Sequence, residues 1–419
     1  MKNLFICLHQ IIQGIYNMGH RKITISGTGC ALADFLYTGV RFDGPAFRKY
    51  LSKRTGDGGL CPGKLVFTEE LERFSGVDYR QILNEISGNN LPDTFNPGGP
   101  GLVSFIHASQ MLNTARYVVK FYGSLGNDNA ADKILELVRK TPLNIANYKK
   151  RSNLPTPYTD VLSDPTFAGG HGERTFVNNI GAAWDFSPEV LNNDFFRSDI
   201  TCFGGTALVP QIHDNLSDLL KRSKQNNSIT VVNTVFDFRN EKKNPGKPWP
   251  LVSSGDNFKL IDVLITDREE AIRISGKPDE KAAAQFFIQK RVSSFFITNG
   301  ANDIIVFSDG KLFAKSDLRF FPVSRMVTPE LRARGDTTGC GDNFAGGIIT
   351  SLALQKNEER GDLDLITAVS WAVASGGFCC SYVGGSYIES HKGEKLHRIE
   401  DLRNSYLKQI DKVSSVSSD

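Results

Sequence analysis

Residues 334–347 read RGDTTGCGDNFAGG, a stretch whose residue types and spacing suit phosphate chemistry. Gly339, Cys340 and Gly341 open an apolar helical face that continues through Phe344, Ile348, Ile349 and Leu352. The first turn of a helix leaves backbone N–H donors unpaired, and the helix dipole adds partial positive charge there. Small residues let those amides approach a ligand closely. The product is an anion site suited to a phosphate or a developing phosphoryl charge. Asp342 lies in the same turn, where a carboxylate can take the proton of a hydroxyl as that hydroxyl attacks phosphorus. A lone G-x-G-D would read as a tight loop with a favourable first-turn acid. Here Asp336, Thr337, Thr338 and the glycines at 346 and 347 accompany it, which favours the chemical reading.

The string DTTGCGDNFAGG resembles the signature of the ribokinase-like (pfkB) carbohydrate kinase family, D-T-x-G-A-G-D-x-F-x-x-G. Asp336, Thr337, Gly339, Gly341, Asp342, Phe344 and Gly347 match, and Cys340 replaces the usual alanine. The resemblance implies an α/β fold: a three-layer, doubly wound, mostly parallel sheet with a small β-rich lid. It implies ATP-dependent phosphorylation of a hydroxyl on a small sugar or sugar-like substrate. Asp342 would be the catalytic base, and the amides of Gly339, Cys340, Gly341 and Asp342 the anion hole. Asp336 and Thr338 match positions that help hold a monovalent cation such as K⁺.

Other segments resemble the family in the same order. GTGCALAD resembles the first-strand motif ending in an acid on the sugar hydroxyls, here Asp34. NPGGPGLVSF resembles the substrate loop, at Gly98 and Gly99, with Leu102, Val103 and Ser104 where an Asn is usual. Asp128, in YGSLGNDNAAD, reads as structural and as bordering the substrate. Arg174 reads equally as a contact to substrate or phosphate and as a solvated edge-strand charge. VLITDREEA resembles the N-x-x-E motif that organises Mg²⁺ near the nucleotide phosphates. Glu270 matches there and Asp267 replaces the Asn, while both also suit the first turn of a helix. ITNGANDIIVF resembles a nucleotide-side turn at Thr298 and Gly300, and Gly384 matches the last nucleotide loop.

Alternatives share or replace this scaffold. A nucleoside (adenosine-like) kinase and a sugar-phosphate kinase fit the same motifs. A non-catalytic sugar or nucleotide sensor is opposed by the intact Asp342. A dinucleotide-dependent oxidoreductase is opposed by Leu32, which takes the place of the third glycine after Gly27 and Gly29. The segment GGLCPGK at 58–64 imitates a phosphate loop, but Leu65 stands where a hydroxyl must reach the metal.

These residues need a frame to hold them. Strand-like runs at 22–26, 117–122, 158–162, 174–178, 200–203, 229–236, 263–266, 294–298 and 304–307 alternate with helical patterns at 102–112, 130–139, 212–221, 268–275, 282–289, 340–354 and 365–379. That alternation predicts a mostly parallel sheet with helices on both faces. The 419 residues suggest two or three domains by length alone. The motif order predicts one kinase domain over 18–412 instead. Its lid and insertion segments fall around 36–96 and 158–179, and 41–96 carries two short helix-like stretches. Residues 1–17 read as a disordered or mis-assigned leader, and 413–419 as a disordered tail.

Hydrophobic residues at 40% and charged residues at 23% allow a sizeable core. A net charge of +3 speaks against a nucleic-acid partner. No run of about 18 apolar residues occurs, so no membrane span is expected. Seven scattered cysteines with no metal-ligand spacing read as free thiols in a reducing cytoplasm. A homodimer formed through the lid is the expected assembly.

Overall fold

A computed structural model describes residues 21–416 except Thr55, His171, 329–336 and 359–360. In chain order the strands are β1 (Ile23–Gly29), β2 (Leu32–Tyr37), β3 (Leu65–Phe67), β4 (Thr94–Gly98), β5 (Tyr117–Gly126), β6 (Asn144–Ser152) and β7 (Tyr158–Asp164). There follow β8 (Glu173–Asn179), β9 (Ile200–Gly204), β10 (Ile229–Asn233), β11 (Val263–Asp267), β12 (Ser294–Thr298), β13 (Ile304–Ser308) and β14 (Ser316–Phe321).

Nine of these strands form one sheet in the order β14-β13-β12-β11-β10-β9-β1-β5-β6. From β6 to β12 every neighbouring pair is parallel, and β13 and β14 add an antiparallel edge. The central strands are short apolar runs because both of their faces are covered. Val231, Val263, Ile265 and Phe296 point to one core, shared with the helices Pro100–Met111, Cys340–Asn357 and Leu365–Cys379. Val232, Leu264, Phe295 and Ile297 point to the other, shared with Leu216–Gln225, Arg268–Ser275 and Glu280–Gln289. The Cys340–Asn357 helix is buried along most of its length. A Cβ on Gly347 would stand 2.7 Å from Ala372 Cα, so this motif glycine serves helix packing.

A second sheet of five strands runs β3-β8-β7-β2-β4. Alternation gives it two distinct faces. Phe35, Tyr37, Leu162 and Val177 join a core with Leu71, Tyr79 and Ile82 from the helices Thr68–Ser75 and Tyr79–Ser87. Those helices, with Pro45–Lys49, account for much of the segment between β2 and β4.

Several elements differ from the sequence reading. Asp34 lies on β2 of the small sheet, and the first strand ends earlier, at Gly29. The strand expected over 229–236 stops at Asn233. β6 escaped notice because its sequence, NIANYKKRS, is that of a polar sheet edge. β4 escaped because TFNPG carries Pro and Gly, which an edge strand tolerates. Three helices rather than two fall within 41–96. The last helix runs Glu394–Val416, so residues 413–416 of the expected tail are helical. No helix among the described residues is long and apolar enough to cross a membrane.

Candidate active site

The chain builds β5 and β6 on one side of β1, then returns to lay β9 on the other. A doubly wound sheet binds ligands at such a reversal, outside the carboxyl ends of the strands. Gly29 and Gly204 are register partners at that edge, and Asn233, Asp267 and Thr298 end the strands beyond them. The main chain is crowded here. Gly29 has φ +134°, and a Cβ on it would fall 1.8 Å from the Gly204 carbonyl oxygen. A Cβ on Gly99, at φ +90°, would stand 2.7 Å from the Cys30 carbonyl oxygen. Only glycine permits these approaches.

Gly339 is the N-cap of the Cys340–Asn357 helix at φ 77°, a left-handed conformation that favours glycine. The Cys340 N–H leans toward the Thr337 carbonyl at 3.3 Å. The N–H groups of Gly341 and Asp342 have no acceptor among the described residues. These two are the open donors of the expected anion hole. The Cys340 sulfur lies 3.4 Å from that of Cys380, and both are free thiols. Asp342 keeps part of its surface open but is ringed by protein, and this burial pushes its carboxyl up to about 7.

Asp34 pairs in register with Asn96 on β4 and Thr159 on β7. Its carboxylate covers Gly98, where a Cβ would fall 2.0 Å from Oδ2. Buried Cys30 is pushed far up by burial, then by Asp342 and then by Asp34. Both acids are thus near Cys30, Asp34 on β2 of the small sheet and Asp342 in the first turn of the Cys340–Asn357 helix. Arg174 lies on the β8 face opposite Thr175 and Val177, and its Nη1 donates to Thr338 Oγ1 at 2.6 Å. It ties the small sheet to the loop before Asp342. The other expected contact of that loop, Asp336, lies outside the described residues. The Thr338 carbonyl accepts from the Cys379 thiol at 3.2 Å.

Asp267 and Glu270 form a capping box on the Arg268–Ser275 helix. Glu270 Oε2 also accepts from the Thr234 hydroxyl. Burial first, then Asp267 and more weakly Asp342, push Glu270 up to about 8. Burial raises Asp267 as well. No positive side chain among the described residues is ion-paired with either carboxyl. Thr298 sits beside Asp267 in the sheet, and Gly300, at φ +56°, turns the chain beyond it with open space where a Cβ would point. Gly384 packs on the Asn96 side chain, and Gly385 packs on Gly339.

The structure brings Asp34 against Gly98, Gly99 against Cys30, Arg174 to Thr338, and Asp267 to Glu270. It adds residues that motif reading passed over. Asn96 bonds both backbone groups of Ser386, at 3.0 and 3.2 Å. Asn233 Nδ2 is buried with no partner among the described residues, at the carboxyl end of β10. A polar residue closing an apolar strand run was the available signal for Asn233.

Comparison with known proteins agrees with this architecture. The description "pfkB family carbohydrate kinase" matches residues 77–392. The chain is 24% identical to an adenosine kinase of Schizosaccharomyces pombe over 265 residues, 59% of this chain and 72% of that one. It superposes on an adenosine kinase from Schistosoma mansoni in complex with 2-fluoroadenosine, at TM-score 0.65 and 18% identity, covering 87% of this chain and 96% of the other. A probable sugar kinase from Rhizobium etli superposes at TM-score 0.64 and 15% identity, covering 91% and 100%. With most of its length matched and the signature intact around Asp342, the chain belongs to the pfkB family of carbohydrate kinases.

Proposed function

We propose that this phosphotransferase moves the terminal phosphoryl group of ATP to a hydroxyl on a small sugar-bearing acceptor, with Asp342 as the base. The observation that carries the reading is the first turn of the Cys340–Asn357 helix. There two amides with no acceptor among the described residues stand beside an acid raised to about 7. A base with that value takes a proton readily near neutral pH. Asp34 accepts hydrogen bonds from acceptor hydroxyls, and Gly98 and Gly99 let the ring approach the main chain. The amides of Gly341 and Asp342 bind the transferring group, whose charge is met by fixed dipoles rather than by side chains.

Asp267 and Glu270 fit a role in holding Mg²⁺ through its waters. No cluster of three or more acidic, His or Cys residues among the described residues makes a direct cage. An exposed carboxyl at Asp267 and a buried one at Glu270, both raised, suit outer-sphere binding beside nucleotide phosphates. When bound, Mg²⁺ neutralises phosphate charge. The small sheet acts as a lid that excludes water when it closes on the acceptor, and Arg174 is its tie to the phosphate loop.

A second reading, with the ribose of a nucleoside as acceptor, is favoured by the likeness to adenosine kinases. It also suits the half-buried ring of Phe176, on the same β8 face as Arg174, against which a planar base can stack. A coupled assay over free sugars, sugar phosphates and nucleosides distinguishes the two readings. Asp342→Asn on the accepted substrate should lower kcat by about 10²–10⁴-fold. Equal rates for both proteins would remove Asp342 from the chemistry.

A further inference from the structure

Asn343 follows Asp342 directly and is fully buried. Its Nδ2 donates to the carbonyls of Gly339 at 2.9 Å and Gly385 at 2.8 Å, and lies 3.3 Å from the Cys379 sulfur. Its Oδ1 meets His107 Nδ1 at 2.9 Å, the Tyr382 hydroxyl at 3.3 Å and Lys395 Nζ at 3.4 Å. A rotated amide would turn an oxygen against two carbonyl oxygens, so the surroundings fix its orientation. Gly339 and Gly385 are in tight contact, since a Cβ on Gly339 would stand 2.4 Å from Gly385 Cα. Asn343 thus clamps together the two loops behind the open amides of Gly341 and Asp342.

Lys395 reaches this clamp from the Glu394–Val416 helix and is 0% exposed. Among the described residues no carboxylate is ion-paired with it, and Glu389 accepts its backbone N–H instead, at 3.3 Å. Burial pulls its ammonium down to about 7, against the opposing pull of Cys379 and Glu389. A buried ammonium with no carboxylate on it is costly, and hydrophobic residues of similar volume usually fill such a place at least as well. Packing alone therefore does not account for a lysine whose acceptor is the Asn343 amide.

We propose that Lys395 and Asn343 are a positioning pair for phosphoryl transfer: Lys395 holds the Asn343 amide, and that amide holds Gly339 and Gly385 so that the N–H groups of Gly341 and Asp342 stay aimed at the transferring group. The proposal rests on the anion-hole reading given above. Neither side chain touches reacting atoms, so their loss changes kcat and leaves acceptor binding nearly intact. Small misplacements of such donors are expensive in rate.

Steady-state kinetics and thermal melting of Lys395→Met and Asn343→Asp, beside wild type and Asp342→Asn, test this. For both variants we expect kcat to fall about 10–100-fold with KM for the acceptor nearly unchanged. Lys395→Met should melt at or above the wild-type temperature, because a costly charge has gone. In Lys395→Ala, added propylammonium should restore kcat and propanol should not. A folded Lys395→Met with wild-type kcat overturns the proposal, as does rescue by propanol equal to that by propylammonium. Failure of both Lys395 variants to fold makes Lys395 a folding residue and overturns it too. Asp342→Asn separates the two levels. If it is inactive while Lys395→Met is unimpaired, the positioning pair alone is wrong. If it is as active as wild type, the underlying site reading is wrong.

Discussion

The base proposed for the reaction, Asp342, has a measurable physical mark. Its folded value near 7 exceeds the roughly 3.9 of an unfolded aspartate, so the folded state binds the proton more tightly. The stability it contributes is complete below about 4 and is lost as pH rises through about 7. Asp342→Asn should therefore gain melting temperature relative to wild type over that window, while losing turnover. A gap that stays flat with pH would contradict the burial of this carboxyl. With ATP bound, the nearby phosphate charge raises the value further, so kcat/KM for the acceptor should climb along a limb centred at or above about 7. Asn233 supplies a second residue-scale expectation. Its unpartnered buried Nδ2, at the carboxyl end of β10, suits a ligand oxygen. Asn233→Ala should then raise a KM several-fold with little change in melting, and the substrate whose KM moves identifies the ligand. Unchanged KM values for both substrates would assign Asn233 to the scaffold.

At the scale of elements, the small sheet has its own weak point. Asp160 on β7 is 3% exposed, raised by burial to about 7, and takes a hydrogen bond from the Tyr79 hydroxyl at 2.7 Å. That bond joins the small sheet to the Tyr79–Ser87 helix. Tyr79→Phe leaves a buried carboxyl without its donor, which costs about 1–3 kcal/mol. The cost should grow as pH rises through 7 and the carboxyl ionises, and denaturant melts at two pH values would show it. The same elements show how far the sequence could be read. The apolar runs of β9 to β12 announced a parallel sheet because burial on both faces demands them. The Asp342 turn was legible because small residues and an acid at a helix start have few other uses. β2, β3 and β4 were not, because a small sheet with one polar face and edge strands carries a weak periodic signal. Lys395 was invisible for another reason. Its role arises from tertiary burial of a single polar group, and no local pattern encodes that.

At the scale of the whole molecule, one feature of the small sheet bears on assembly. A lid sheet with a bare apolar face would invite a partner, and a homodimer was the sequence-based expectation. Here Leu71, Tyr79 and Ile82 from the chain's own helices cover that face. We therefore expect a monomer in sedimentation at micromolar concentration, and a stable dimer would have to use another surface. The segment between β2 and β4 thus covers one face of the small sheet from within the chain. The crowded main chain around Gly29, Gly99 and Gly204, and the open amides beyond Gly339, carry a consequence for conditions of use. An anion held by peptide dipoles in a walled cleft feels dissolved ions weakly, whereas one held by exposed lysines and arginines is released as they are screened. Affinity for the phosphate donor should consequently vary little between dilute buffer and about 0.5 M of an inert salt at fixed Mg²⁺. A tool compound for this pocket should offer acceptors to main-chain donors rather than extra negative charge.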